Sequence, residues 1–256
     1  MLRVENVDVR FGGLMALHEV SLHADLGVVT GLIGPNGAGK TTLFNVITGI
    51  QPPTAGRIFI GDQDVTRRKT HQRARLGVAR TFQRLEAFGS LTARENIMVA
   101  AEIRNGWPPE KQDAVKLTES ILDRVGLRAV ADDPVDAMPT GLARLVELGR
   151  ALARSPRLLL LDEPGSGLNQ EESEALGHLL VDLAHDGMAI LLVEHDMELV
   201  MRVCELIFVL DFGELIAQGT PAEIRANEAV QAAYLGAANE TLDAAEQEIE
   251  QEEVTA

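Results

Sequence analysis

The sequence predicts an α/β fold with a largely parallel sheet at its core, and three observations support this. Leu158–Leu161 and Ala189–Val193 are continuous apolar runs with little alternation. Such runs are typical of parallel strands that are covered on both faces. Val28–Ile33 is a third β-rich run that ends at glycines, and Thr41–Thr48 follows it with helical character. A strand, a glycine-rich turn and a helix in this order are a building unit of α/β proteins.

The opening segment has a different pattern from the core strands. Leu2 and Val4, and then Val7 and Val9, alternate with polar residues, which indicates strands with one exposed face. Further strands are predicted at Arg57–Ile60 and at Ile207–Leu210, each beside turn residues.

A short motif after the last of these strands needs a separate interpretation. Asp211-Phe212-Gly213 looks like the magnesium-binding motif of protein kinases. Neither a kinase catalytic loop nor the kinase lysine strand accompanies it. We therefore predict a hairpin turn at this position.

Two segments lie outside this pattern of strands. Residues 84–155 have mostly helical character, with apolar spacing at Leu145, Leu148 and Leu152, so we predict a helical lobe inserted into the core over about these residues. Residues 237–256 contain seven acidic residues and no basic residue. An acidic run with too few apolar residues to form a core predicts a solvated tail that is disordered or a frayed helix, which leaves residues 1–236 as the folded domain.

Composition excludes some functional classes. The net charge is −16 and aromatic residues make up only 4% of the chain, which argues against a nucleic-acid partner. The single cysteine, Cys204, rules out an internal disulfide and fits a reducing compartment, where we expect it to be a small buried residue on a helix. No apolar run approaches the ~18 residues that a membrane helix needs. We therefore expect a cytosolic protein that reaches a membrane only through a partner.

Residues 34–41 carry the strongest local signal. Gly34-Pro35-Asn36-Gly37-Ala38-Gly39-Lys40-Thr41 fits the P-loop pattern G-x-x-x-x-G-K-[ST]. The context fits as well, because a strand is predicted before the loop and a helix near Lys40. Glycines let backbone N–H groups turn toward a phosphate, and the helix N-terminus favours an anion. Lys40 is expected to reach the β- and γ-phosphates, and the Thr41 hydroxyl to ligate Mg²⁺.

A second motif supplies carboxylates. Asp162 and Glu163 directly follow the apolar run Leu158–Leu161, and α/β sheets bind ligands at the carboxyl ends of their strands. Asp162 can support Mg²⁺ through water, and Glu163 can act as the general base that polarises an attacking water. The alternative interpretation is a helix cap followed by a turn at Pro164-Gly165.

With these motifs in order, residues 1–236 resemble the nucleotide-binding domains of ABC transporters. The resemblance implies a P-loop NTPase (RecA-like) core with an antiparallel β subdomain and an inserted α-helical subdomain. Gln83 matches the Q-loop glutamine, residues 165–169 match the D-loop, and His195 matches the switch histidine. Phe11 stands where the family has an adenine-stacking aromatic residue; the alternative is a core strand residue.

The signature motif departs from the family. The common form is Leu-Ser-Gly-Gly-Gln, and the matching stretch here is Met138-Pro139-Thr140-Gly141-Leu142. Pro139 has neither a hydroxyl nor an N–H, so the serine contact to the γ-phosphate held by the opposite subunit is lost. Gly141 and the N-terminus of the following helix remain available to that phosphate. Proline suits a first helical turn, so we expect the helix itself to be intact.

The resemblance narrows to the ATPases of branched-chain amino acid importers. A proline in the signature is one shared feature, and Gly77–Gln83, Glu194–Met197 and Ala233–Gly236 are others. Thr140, Leu142 and Ala143 depart even from that group. Importers of urea, short amides or other solutes share this architecture and remain alternatives.

The resemblance implies ATP and Mg²⁺ as cofactors and assigns roles to named residues. The catalytic residues are Glu163, His195 and Gln83, and the metal site is Thr41, Gln83 and Asp162. The nucleotide-binding residues are Phe11, Gly34, Pro35, Asn36, Gly37, Ala38, Gly39, Lys40, Thr41, Thr42 and Asp162, with Gly141 directed to the partner's ATP.

The resemblance also implies partners. Two such domains pack head to tail with two ATP molecules between them, and a second, non-identical ATPase is expected, with a homodimer as the alternative. Integral-membrane permease subunits bind directly, and an extracytoplasmic solute-binding protein acts indirectly. Two readings from other classes stay open: a soluble ABC ATPase that remodels DNA, ribosomes or iron–sulfur assemblies, and a regulatory subunit that binds ATP without hydrolysing it.

Overall fold

The computed structural model describes residues 1–106 and 113–233. The strands are β1 (Leu2–Phe11), β2 (Leu14–Ala24), β3 (Val29–Ile33), β4 (Ala55–Ile60), β5 (Gln63–Asp64), β6 (Val78–Arg80), β7 (Leu158–Asp162), β8 (Ala189–Val193), β9 (Leu206–Asp211) and β10 (Glu214–Gly219). The helices are α1 (Lys40–Thr48), α2 (Thr70–Arg75), α3 (Ala93–Asn105), α4 (Ala114–Arg124), α5 (Thr140–Leu152), α6 (Gln170–His185), α7 (Met197–Val203) and α8 (Pro221–Arg225). The predicted acidic tail, 237–256, lies outside the described residues.

The central sheet has six strands in the order β10-β9-β3-β8-β7-β6. All neighbouring pairs are parallel except β9 and β10, which form an antiparallel hairpin. Leu158 and Leu160 of β7 pack in one hydrophobic cluster, and Leu159 and Leu161 pack in another on the opposite face. Both faces of this strand are therefore covered, which explains its continuous apolar run. The α/β prediction is confirmed.

The register of the sheet brings the ends of β7 and β8 together. Asp162 at the end of β7 lies opposite Val193 at the end of β8. The residues that follow each strand, Glu163 on one side and Glu194 and His195 on the other, therefore emerge at the same edge. Ligands bind at this edge in open α/β sheets.

A second, four-stranded antiparallel sheet has the order β2-β1-β4-β5. The predicted alternation in β1 is confirmed, because Leu2, Val4, Val7 and Val9 are all buried. Their side chains share a hydrophobic cluster with one face of helix α1 and with one face of the central sheet. Helix α1 is thus held between the two sheets, and this fixes the direction of its N-terminus.

The helical segment inserted between β6 and β7 contains α3, α4 and α5. Its first helix begins at Ala93, so residues 84–92 of the predicted lobe are not helical. Leu148 and Leu152 of α5 are buried in the larger hydrophobic cluster, and Leu145 packs against it. Over residues 1–106 and 113–233, no helix has the length and apolarity that a membrane crossing requires.

Two smaller predictions concern the region after β8. Asp211-Phe212-Gly213 forms the β9–β10 turn, as predicted, with positive φ at both Phe212 and Gly213. Cys204 is buried, as expected, but it lies directly after α7 as its C-cap rather than within a helix. Burial raises the pKa of its thiol to about 12, so this cysteine is an apolar packing residue.

Candidate active site

The loop between β3 and α1 contains two glycines at positions where a side chain would clash with the neighbouring backbone. A Cβ on Gly34 would lie 1.9 Å from the carbonyl oxygen of Leu210, and one on Gly39 would lie 2.9 Å from that of Ala16. Both have positive φ, and Gly39 is the N-cap of α1. The loop is thereby folded tightly over the sheet edge, and its N–H groups lead into the helix N-terminus.

Lys40 is the first residue of α1, and its side chain folds back over the loop. Its Nζ donates to the carbonyl oxygens of Gly34 and Pro35, the latter at 2.8 Å. Burial lowers the pKa of Lys40, while the nearby charges of Glu163 and Asp162 raise it. The ammonium group therefore lies in the field of both carboxylates.

A cleft of about 240 Å³ collects most of the predicted site residues. Its lining is Asn36, Gly37, Ala38, Gly39, Lys40, Thr41, Thr42, Gln83, Asp162, Glu163, Val193 and His195. Gly34 and Pro35 begin the loop but are not among the lining residues. Phe11 ends β1 and is exposed at 47%, which rules out the interpretation of a core residue. The contacts of all these residues with a nucleotide stay a prediction.

The three residues predicted to be catalytic meet around one carboxylate oxygen. His195 Nε2 lies 2.9 Å from Glu163 Oε1, and Gln83 Nε2 lies 3.5 Å from the same atom. The three residues are far apart in the chain: Gln83 follows β6, Glu163 follows β7 and His195 follows β8. The arrangement can hold a water molecule against a general base at the mouth of the cleft.

Asp162 has a partner that the sequence did not predict. Arg80 Nη2 donates to Asp162 Oδ2 at 3.0 Å, and both side chains are only 4% exposed. Arg80 Nη1 also donates to Asn45 Oδ1 at 2.7 Å, and the guanidinium lies over the rings of Phe44 and Phe82. Burial lowers the pKa of Arg80, and the bond to Asp162 opposes this shift. Asp162 directly follows the predicted buried strand Leu158–Leu161. A carboxylate in such a place needs a polar partner, and this was the signal in the sequence that a partner exists.

The predicted metal ligands suit Mg²⁺. Thr41, Gln83 and Asp162 all line the cleft and offer oxygen atoms, the donors that hard cations prefer. Within the described residues, no group of three or more His, Cys, Asp or Glu side chains could hold a metal ion without help. Mg²⁺ commonly uses one or two carboxylates together with substrate phosphates, so this sparse donor set fits a cation that arrives with a nucleotide.

The segment that carries Gln83 is held by helix α5, and sequence reasoning missed this as well. Arg144 donates to the carbonyl oxygens of Phe82 and Gln83 at 3.2 and 2.7 Å. Glu147, one turn along, accepts from the backbone N–H of Glu86 at 2.5 Å. Charged residues three apart on an otherwise buried helix face could have revealed this clamp.

The altered signature starts this same helix. Pro139 is the N-cap of α5, and Ala143 N donates to its carbonyl oxygen at 3.1 Å. The helix is intact, as predicted, although proline lies one position earlier than the first helical residue. A Cβ on Gly141 would lie 2.8 Å from Gly167 O, so the signature packs against the D-loop. Gly141 is not part of the cleft lining.

Comparisons with known proteins agree with this geometry. A profile of the family described as "ABC transporter" matches residues 17–166, and one described as "Branched-chain amino acid ATP-binding cassette transporter" matches residues 214–239. The high-affinity branched-chain amino acid transport ATP-binding protein LivG of Escherichia coli (strain K12) is 39% identical over 251 residues, which cover 93% of this chain and 98% of LivG.

Solved structures give the same result. MJ1267, an ATP-binding cassette of an ABC transporter, superposes with a TM-score of 0.83 at 30% identity and covers 91% of this chain and 98% of its own. The dimeric cassette MJ0796 bound to ADP and Pi superposes with a TM-score of 0.77 at 25% identity. The superposition covers 86% of this chain and 99% of the MJ0796 chain. The P-loop cleft, the match over most of the folded chain and these superpositions place this protein in one family: the chain belongs to the ABC transporter ATP-binding proteins.

Proposed function

We propose that this chain binds ATP with Mg²⁺ and hydrolyses it to power the import of branched-chain or other hydrophobic amino acids. The observation that carries the proposal is the convergence of Glu163, His195 and Gln83 at the mouth of the P-loop cleft. The solute class rests on the match of residues 214–239 and on the name of LivG.

Each part of the cleft has a role in the proposed reaction. The loop N–H groups and Lys40 bind the β- and γ-phosphates, and Thr41, Gln83 and Asp162 would hold Mg²⁺, which would neutralise charge at the phosphates. Glu163 takes up the proton of the attacking water, and His195 and Gln83 fix the position of the γ-phosphate and the water. Phe11, exposed at the end of β1, stacks on the adenine ring.

The proposed partners follow from two surfaces. A groove of about 230 Å³ lies between the sheet and the helical segment and is lined by Phe82, Phe88, Ile103, Glu147 and Arg150, among others. Three of these side chains are exposed and apolar, which suits a helix of an integral-membrane permease. The protein would then lie on the cytoplasmic face of the membrane, and an extracytoplasmic solute-binding protein would act through the permease.

The second surface carries the signature. Each ATP is proposed to lie between the P-loop of one ATPase subunit and the signature of the other, as the dimeric state of the MJ0796 cassette suggests. Pro139 offers no hydroxyl donor to the partner's ATP. A second, non-identical ATPase with a better signature would complete the site of this chain, so we propose a heterodimer.

Uptake in cells tests the proposed solute. The gene of this chain is deleted from its host and replaced by the wild type, by Lys40→Ala or by Arg57→Ala as a surface control. We expect labelled leucine uptake to be lost in the deletion and with Lys40→Ala, and to be restored by the other two. Normal leucine uptake in the deletion, with loss of labelled urea uptake, would replace the amino-acid proposal by the urea alternative.

A further inference from the structure

Glu194 is a buried acidic residue to which the proposed mechanism gives no role. It directly follows strand β8 and precedes His195, and only 5% of its surface is exposed. Its Oε1 accepts the backbone N–H of Gly165 at 2.6 Å, and its Oε2 accepts that of His195 at 3.1 Å. One carboxylate therefore joins the loop after β7 to the loop after β8.

Glu194 Oε1 lies close to the Cα of Gly165 as well as to its N–H. A Cβ on Gly165 would lie 2.9 Å from Glu194 Oε1, so a larger residue at this position would displace the carboxylate from where it now lies. Burial raises the pKa of Glu194, whereas the backbone N–H groups of Gly165, His195 and Asp196 lower it. A buried carboxylate is tolerated when such donors satisfy it.

The loop that Glu194 holds contains a strained residue at the reactive position. Glu163 has a φ of 52°, in the left-handed region that glycine favours. A non-glycine residue persists there only when its surroundings over-determine the conformation. Glu163 N donates to Val193 O at 2.9 Å on one side, and on the other side the N–H of Gly165, two residues on, is fixed by Glu194.

The Glu194 carboxylate also holds the backbone of His195, the residue that lies beside the base Glu163. It accepts the N–H of His195, whose ring nitrogen lies 2.9 Å from Glu163 Oε1. The base and the histidine are thus linked directly through their side chains, and also through Glu194, which accepts the backbone N–H of His195 and that of Gly165, two residues after Glu163.

We propose that Glu194 is a positioning residue that fixes Glu163 and His195 relative to each other by joining the two loops that carry them. This inference rests on the proposed function, in which Glu163 is the base. We expect Glu194 to act on the hydrolytic step rather than on nucleotide binding, because the hydrogen bonds that hold Lys40 go to Gly34 and Pro35 and not to either of these loops.

The test uses Glu194→Gln in the full chain. Glutamine has the same shape, but its amide NH₂ cannot accept an N–H, so one of the two loops loses its bond. We expect kcat for phosphate release to fall roughly 10- to 100-fold, the scale of a misplacement of about 1 Å, with KM for ATP nearly unchanged. Asp196→Ala is the matched control: it removes the side-chain cap of α7 but leaves Gly165 untouched. It should lower the melting temperature without this change in kcat.

Two further variants keep the proposal testable if Glu194→Gln does not fold. Gly165→Ala disturbs the same contact from the opposite side and should give a similar loss of kcat. In Glu194→Gln/His195→Ala the losses should combine to less than their product, because one residue acts through the other. Fully multiplicative losses, or equal changes in KM and kcat with Glu194→Gln, would overturn the inference.

Glu163→Gln and the wild type, measured in parallel, distinguish a failure of the proposed function from a failure of the positioning role of Glu194. If the wild type releases no phosphate from ATP, the proposed function itself fails, and if Glu163→Gln keeps full turnover, Glu163 is not the base on which this inference rests. If Glu163→Gln loses turnover while Glu194→Gln and Gly165→Ala keep it, only the positioning role is wrong.

Discussion

At the scale of single residues, Arg80 and Asp162 form a buried ion pair on which the stability of the site depends. Both side chains are removed from water, and their 3.0 Å contact lies beside the cleft. A buried pair adds little net stability, but removal of one partner leaves an uncompensated charge. Arg80 also donates a hydrogen bond to Asn45 of α1, so it holds the carboxylate of Asp162 against the helix that follows the P-loop.

Arg80→Met should therefore destabilise the fold by about 3–5 kcal/mol, since the buried carboxylate of Asp162 would lose the cation that is hydrogen-bonded to it. Arg80→Met/Asp162→Asn should be more stable than Arg80→Met alone, because the orphaned charge is removed. Urea unfolding of the two single variants and the double variant measures this. A double variant that is less stable than Arg80→Met would contradict the electrostatic explanation.

At the scale of an element, the β9–β10 hairpin supports the P-loop. Gly213 N donates to Ala38 O at 3.0 Å, and His18 N donates to Gly213 O at 2.8 Å. The turn residue before it, Phe212, has a φ of 41° and is 81% exposed. Two-residue turns with positive φ at both positions favour Asn-Gly, so phenylalanine is strained here.

Phe212→Asn should stabilise the protein by about 1 kcal/mol, because asparagine tolerates the left-handed conformation and little packing is lost. Phe212→Ala is the control: it removes the ring but keeps the strain, so it should give no such gain. Thermal unfolding of both variants measures the effect. A destabilised Phe212→Asn beside a neutral Phe212→Ala would show that strain at this turn is not what limits stability.

The elements themselves were largely predictable from local patterns. The continuous apolar runs gave β7 and β8, the alternation at the N-terminus gave β1, and the P-loop placed the start of α1 at Lys40. Helix α2 and the non-helical stretch 84–92 were not predicted, because they have neither a sustained period nor clear stop signals.

The site was predictable only in part, for a physical reason. Lys40, Asp162, Glu163 and His195 belong to motifs with a recognisable spacing, and all four line one cleft. The roles of Arg80, Glu194 and Arg144 depend on contacts between segments that are far apart in the chain. Arg80 and Asp162, for example, are 82 residues apart, and no local pattern reports such a pairing.

At the scale of the whole molecule, the altered signature is the basis of the proposed heterodimer. The N–H groups of Thr140, Gly141 and Leu142 begin α5 and have no acceptor within the helix. They preserve an anion-binding end, but the hydroxyl that serine would supply at position 139 is missing. A homodimer would carry this defect at both of its ATP sites, whereas a heterodimer would carry it at one.

Pro139→Ser, introduced into Glu163→Gln and saturated with MgATP, should therefore tighten homodimers. One added hydrogen bond to a charged oxygen corresponds to about 1.5–3 kcal/mol, or roughly 10- to 100-fold in dimer affinity per site. Analytical ultracentrifugation of Glu163→Gln with and without the serine gives the comparison. Tight homodimers from Glu163→Gln alone, with no gain from the serine, would remove the argument for a second ATPase.

Phosphate release and ATP binding, measured on one preparation of Glu163→Gln, test the central claim most directly. The claim is that the convergence of Glu163, His195 and Gln83 at the P-loop cleft makes this chain an ATP hydrolase with Glu163 as its base. It predicts that ATP affinity is kept, because Lys40 and the loop are unchanged, while turnover falls about 10²-fold or more. Turnover equal to that of the wild type, with ATP still bound, would contradict it.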